Sequence, residues 1–86
     1  MEDVKVYVRA RMALGGQETV LRGAMEKAGY GTRIMERLSG VSHQTIQNLR
    51  AGKGGVEQRK AEAIAAALEI PTVQLFAHAA EFGDAL

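Results

Sequence analysis

Residues 32–53, TRIMERLSGVSHQTIQNLRAGK, read as two short helices joined by a tight turn. Gly40 divides two segments of helical apolar period. Ser42 is placed as an N-cap, because a short hydroxyl there accepts from a first-turn amide. A helix from Ser42 to about Arg50 turns Ile46 and Leu49 inward, to join Met35, Leu38 and Val41 in a core. Its opposite side carries Gln44, Gln47 and Asn48, with His43 in the first turn. Amide tips hold a donor and an acceptor together, and can pair bidentately with adenine N6 and N7 in a major groove. His43, at the helix start, is placed to reach a purine N7 or a phosphate. A solvated polar face is the plainer account of the same residues.

Charge separates the two accounts. The 86-residue chain has a net charge of only +1. Residues 22–60 hold eight Lys or Arg against three Glu, a local +5, and residues 61–86 hold four acids and no Lys or Arg, a local −4. The positive part coincides with the two-helix stretch, so a polyanion is drawn there and repelled by the tail. Phosphate contacts are expected from Thr32 and Arg33, which open the first of the two helices, where free amides meet an anion. Thr45, Arg50, Lys53 and the amides of Gly52, Gly54 and Gly55 are the other candidates. Such contacts position a protein without reading sequence.

The rest of the chain reads as mainly α. Residues 17–29, QETVLRGAMEKAG, place Val20, Leu21, Ala24, Met25 and Ala28 at helical spacing, and Gly29 is a natural stop. Residues 51–55, AGKGG, form a loop that lacks the spacing of a nucleotide phosphate loop. Residues 56–70 give the strongest helical pattern, with Ala61, Ile64, Ala65 and Leu68 on one face. After Pro71, with Thr72 as N-cap, a last helix over about 73–82 carries Val73, Leu75, Phe76, Ala79, Ala80 and Phe82. Residues 4–14 are open between two readings. Val4, Val6 and Val8 alternate with polar residues, which favours a strand over 4–9. A lone strand wants a partner, and a second copy of the chain supplies one. An amphipathic helix is the alternative.

These residues resemble the Cro/C1 (lambda-repressor-like, XRE) family of helix-turn-helix DNA-binding proteins. The resemblance covers residues 17–76. It rests on Gly29 and on MERLSGVSHQTIQNLRAGK (35–53), which carries the pattern GVS-x-x-TI-x-x-L-x-x-GK. It implies a five-helix DNA-binding domain, and base reading by His43, Gln44 and Asn48. It implies a phosphate contact at Thr32, where many members carry Gln. Glu36 departs from the pattern, which puts a small Ala against the reading helix. Either the two helices cross more openly, or the register of the first shifts by one and leaves Glu36 at the surface. Residues 1–16 match nothing in the family core and are expected to be an extension, ahead of a DNA-binding domain at 17–82 and a tail at 83–86.

The expected function is a sequence-specific transcriptional regulator, a phage or prophage Cro-like protein or a small repressor. It is expected to act as a homodimer on a pseudo-palindromic operator, because one short helix covers too few base pairs. The dimer would form through the N-terminal strand or the apolar stripe of the last helix. An antitoxin that represses its own operon is a second reading, and an adaptor that has lost DNA binding a third. No catalytic set is suggested and no enzyme is expected. His43 and His78 are not spaced as metal ligands, so neither metal, cofactor nor small-molecule ligand is expected. With no cysteine, no membrane-length apolar run and no signal-peptide pattern, a cytoplasmic location is expected.

Overall fold

The computed structural model describes residues 7–78. In chain order the elements are β1 (Tyr7–Ala10), α1 (Val20–Ala28), α2 (Thr32–Ser39), α3 (His43–Arg50), β2 (Val56–Glu57), α4 (Gln58–Leu68), α5 (Thr72–Leu75) and β3 (Phe76–His78). The protein is mostly helical, with a small sheet of order β2-β1-β3. Among the described residues, no helix is long and apolar enough to cross a membrane.

One core serves all of it. Leu21 and Met25 of α1, Met35 of α2, Ile46 and Leu49 of α3, and Ala61, Ile64 and Ala65 of α4 are buried together. Val8, Ala10, Val56, Leu75 and Phe76 close it from the sheet side. Fully burying one aliphatic side chain of this size contributes about 1.5–3 kcal/mol. Phe76 is the one aromatic residue in that buried cluster, and Tyr30 packs against its rim.

The strand reading of the N-terminal stretch holds for Tyr7–Ala10, while residues 4–6 lie outside the described part. Its partners come from the same chain. Val8 pairs with Val56 on one side and His78 on the other, and Ala10 pairs with Phe76, all antiparallel. The strand is therefore central, with β2 on one edge and β3 on the other. Val8 and Ala10 point into the core while Tyr7 is exposed, as a period of two requires. From Tyr7 on, the expected extension thus enters the fold rather than hanging from it.

Sheet pairing also trims three expected helices. The 17–29 helix begins at Val20, because Glu18 and Thr19 fold back on Ala13 and Met12. The 56–70 helix begins at Gln58, because Val56 and Glu57 are spent on β1. The 73–82 helix is one turn, Thr72–Leu75, with Pro71 rather than Thr72 at the cap position. Phe76–His78 then leaves as β3, and residues 79–82 lie outside the described part. Pairing with β1 has outweighed the helix propensity of this segment.

In α2 the inward stripe is Thr32, Met35, Glu36 and Ser39, of which only Met35 is fully buried. Leu38, expected in the core, is 52% exposed, and Ile34 is 46% exposed. Both lie on the outer side, one helical turn apart.

Candidate nucleic-acid interface

The α2–turn–α3 unit is set by two caps. Gly40 ends α2 in the left-handed region, at φ 78°, where its amide reaches the carbonyl of Glu36. A side chain with a Cβ is strained there. Ser39 steadies the turn, its hydroxyl donating to the Met35 carbonyl at 2.6 Å and accepting from the Val41 amide at 3.1 Å. Ser42 is the N-cap of α3, as its sequence position predicts, and accepts from the Thr45 amide. At the far end Gly52, at φ 80°, lets the chain turn so that the Gly52 and Lys53 amides reach the carbonyls of Leu49 and Asn48.

Within α3, Ile46 and Leu49 are buried, so the opposite side must face out. Gln44, Gln47 and Asn48 are all exposed there. They lie at i, i+3 and i+4, adjacent on one stripe. Among the described residues, no side-chain hydrogen bond occupies any of the three. His43 and Arg50 flank the stripe and are half-buried. Three of the four base-reading candidates are thus displayed together, and the fourth is held by a neighbour.

That neighbour is Glu36. Its Oε2 accepts from the backbone N–H of His43 at 3.0 Å, and lies 3.4 Å from His43 Nδ1. The His43 amide is one of the first-turn donors that a helix cannot satisfy internally, and a carboxylate suits that helix end. The bond from that amide holds the Glu36 carboxyl below the usual glutamate range. Burial opposes the shift, and the His43 ring and the charges of His43 and Arg33 add to it. The Glu36 side chain is 37% exposed and lies at the start of α3. The residue keeps its place against α3, and its length lets the carboxylate reach the helix start instead of wedging between the helices.

The phosphate candidates divide. Arg33, Lys53 and Gly54 are exposed. Thr32 opens α2 half-buried, after Gly31, which gives α2 no side-chain cap. Thr45 is half-buried and its hydroxyl accepts from that of Ser42 at 3.0 Å. Arg50 is half-buried, and its carbonyl accepts from the Thr19 hydroxyl at 2.8 Å. The amide of Gly52, expected to face phosphate, is instead spent on Leu49. A Cβ at Gly55 would stand 2.8 Å from the carbonyl oxygen of Val8. The closeness of β1 therefore accounts for glycine at 55, with no phosphate needed.

Two residues that position this surface are not apparent from the sequence. Thr19 is buried, caps α1 by accepting from the Arg22 amide, and donates to the end of α3. A hydroxyl just ahead of the apolar period is a signal that could have placed the cap, but no local signal points to Arg50, 31 residues away. Glu36 was visible only as a misfit. Its signal is an acid seven residues ahead of a helix start, across a glycine turn.

In comparisons with known proteins, no family model, no curated protein and no solved structure matches this chain.

Proposed function

We propose that this protein is a sequence-specific DNA-binding regulator of the Cro/C1 helix-turn-helix kind, working in the cytoplasm with α3 in the major groove. The observation that carries this reading is the exposed, unengaged stripe of Gln44, Gln47 and Asn48, on a helix capped at both ends and buried on its other side. Side chains that must read bases gain from a rigid support, since the ordering cost is met before binding. Glu36 already occupies the first amide of α3, whereas α2 has no side-chain cap. Phosphate is therefore better received at the start of α2, beside Thr32 and Arg33. Lys53 and Gly54 would track the backbone beyond the reading helix.

The protein acts as a homodimer on two half-sites about one helical turn apart. The pairing of β1 with β2 and β3 of its own chain supports a dimer surface other than that strand. Regulation would come from protein concentration and from competition for the operator.

Selection from a randomised duplex pool, then binding of the winner across a salt series, tests this. A palindromic motif with a steep salt slope is expected. Gln44→Ala with Asn48→Ala should erase preference among sequences, each bidentate pair being worth about 1–3 kcal/mol. Lys53→Ala should weaken binding to all sequences alike and reduce the salt slope by about 1. No DNA binding at low salt would overturn the proposal and leave a protein-binding adaptor.

A further inference from the structure

We infer that Glu36 is a positioning residue that selects the tautomer of His43, and thereby what His43 offers to a base. The inference rests on the reading of α3 as the groove-entering helix. A carboxylate can only accept, so the ring nitrogen against Glu36 Oε2, Nδ1 at 3.4 Å, must carry the proton. The amide bond from His43 to the same oxygen fixes where that carboxylate stands. In the neutral ring the other nitrogen, Nε2, is then bare. Nε2 has no hydrogen-bond partner among the described residues, and none of the described buried polar atoms lacks one. Nε2 is therefore open to solvent, on the helix that carries Gln44 and Gln47.

The base preference follows. A bare Nε2 accepts, and the major groove offers donors at adenine N6 and cytosine N4. Guanine shows only acceptors there, N7 and O6, and so does the N7 that the sequence alone suggested for this residue. Held by Glu36, neutral His43 favours adenine or cytosine and rejects guanine. Released from Glu36, the ring can donate from Nε2, and guanine becomes acceptable.

The test uses the full chain with ¹⁵N-labelled histidine. Long-range proton–nitrogen correlation, on the alkaline plateau of each ring's titration, separates protonated from bare ring nitrogens. His43→Gln assigns the two histidines. The unmodified chain is expected to show His43 with Nδ1 protonated and Nε2 bare. In Glu36→Ala the Nε2–H form should gain, while Glu36→Gln, which keeps an acceptor carbonyl, should hold the original ring. In duplex selection at the same alkaline pH, Glu36→Ala should raise guanine against adenine and cytosine by about tenfold at one position per half-site, with the other positions unchanged. An Nε2–H ring in the unmodified chain overturns the inference even if DNA binds, and needs no variant to fold. The expected ring with no DNA bound by any variant overturns the DNA reading instead, and with it the specificity role of Glu36.

Discussion

The α2–turn–α3 unit and the three-stranded sheet are built on opposite principles. The unit is held by near neighbours: Ser42 to Thr45 across three residues, Ser39 to Met35 across four, Glu36 to His43 across seven. The sheet is held across the whole chain. The Arg11 side chain donates to the Val73 carbonyl 62 residues on, and β1 pairs with β3. The candidate reading surface belongs to the locally determined part. The sheet fastens the ends of the domain around the shared core. A rigid surface for recognition can thus be written in one short stretch, while its stability is drawn from residues far away in sequence.

Removing the remote part should show the largest effect. A chain starting at Gly15 loses the central strand, with Val8 and Ala10 from the core. It should not fold, by circular dichroism and thermal melting. A folded truncation that retained α2 and α3 would break the comparison, because the unit would then need no sheet.

Gly55→Ala probes the same dependence with one hydrogen replaced by a methyl group. Its Cβ would meet the Val8 carbonyl oxygen, a backbone atom, at 2.8 Å, so the strand or the loop must move. A destabilisation of about 1–3 kcal/mol is expected from urea unfolding. A neutral result would mean that β1 and the 51–55 loop are not closely fitted. Thr19→Val sharpens the joint between the regions, since one hydroxyl caps α1 and holds the end of α3. Loss of about 1–2 kcal/mol is expected. Hydrogen exchange should also quicken at the last turn of α3 more than in α2. Equal quickening in both would place the joint elsewhere.

The smallest effect should come from acid. The His43 amide holds the Glu36 carboxyl below its usual range, so the unfolded chain takes up that proton first as pH falls. Between the two values the unfolded state binds more protons, and stability rises with pH. The contribution is present above about pH 4.3, the ordinary glutamate value, and is lost as pH falls through the folded one. Urea midpoints measured downward from about pH 5.5 should fall less steeply for Glu36→Gln than for the unmodified chain. Equal slopes would show that Glu36 gives α3 no anchor of consequence.

How much the sequence disclosed follows the same division. The limits of α2 and α3, the Gly40 turn, the Ser42 cap, the burial of Ile46 and Leu49 and the exposure of Gln44, Gln47 and Asn48 were all legible. Each depends on helical period or on a cap whose partner lies within one turn. Leu38 was misplaced because in so short a helix the inward stripe, Thr32, Met35, Glu36 and Ser39, holds a single apolar residue that is fully buried. An apolar count then points to the wrong side. Glu36 looked like an error in the pattern, because its use depends on where the turn brings the start of α3.

By itself the sequence determined a mainly helical domain, its helix ends beside glycine, and the charge that gathers along residues 22–60. These follow from side-chain chemistry read over a few residues, where the chain's own geometry fixes the neighbours. Only the tertiary structure decided that Tyr7–Ala10 pairs within its own chain, that Phe76–His78 leaves the helix for a strand, and that Gly55 serves packing. Strand partners and close approaches between distant segments depend on which surfaces the folded core brings together, and no local pattern in the chain encodes that meeting.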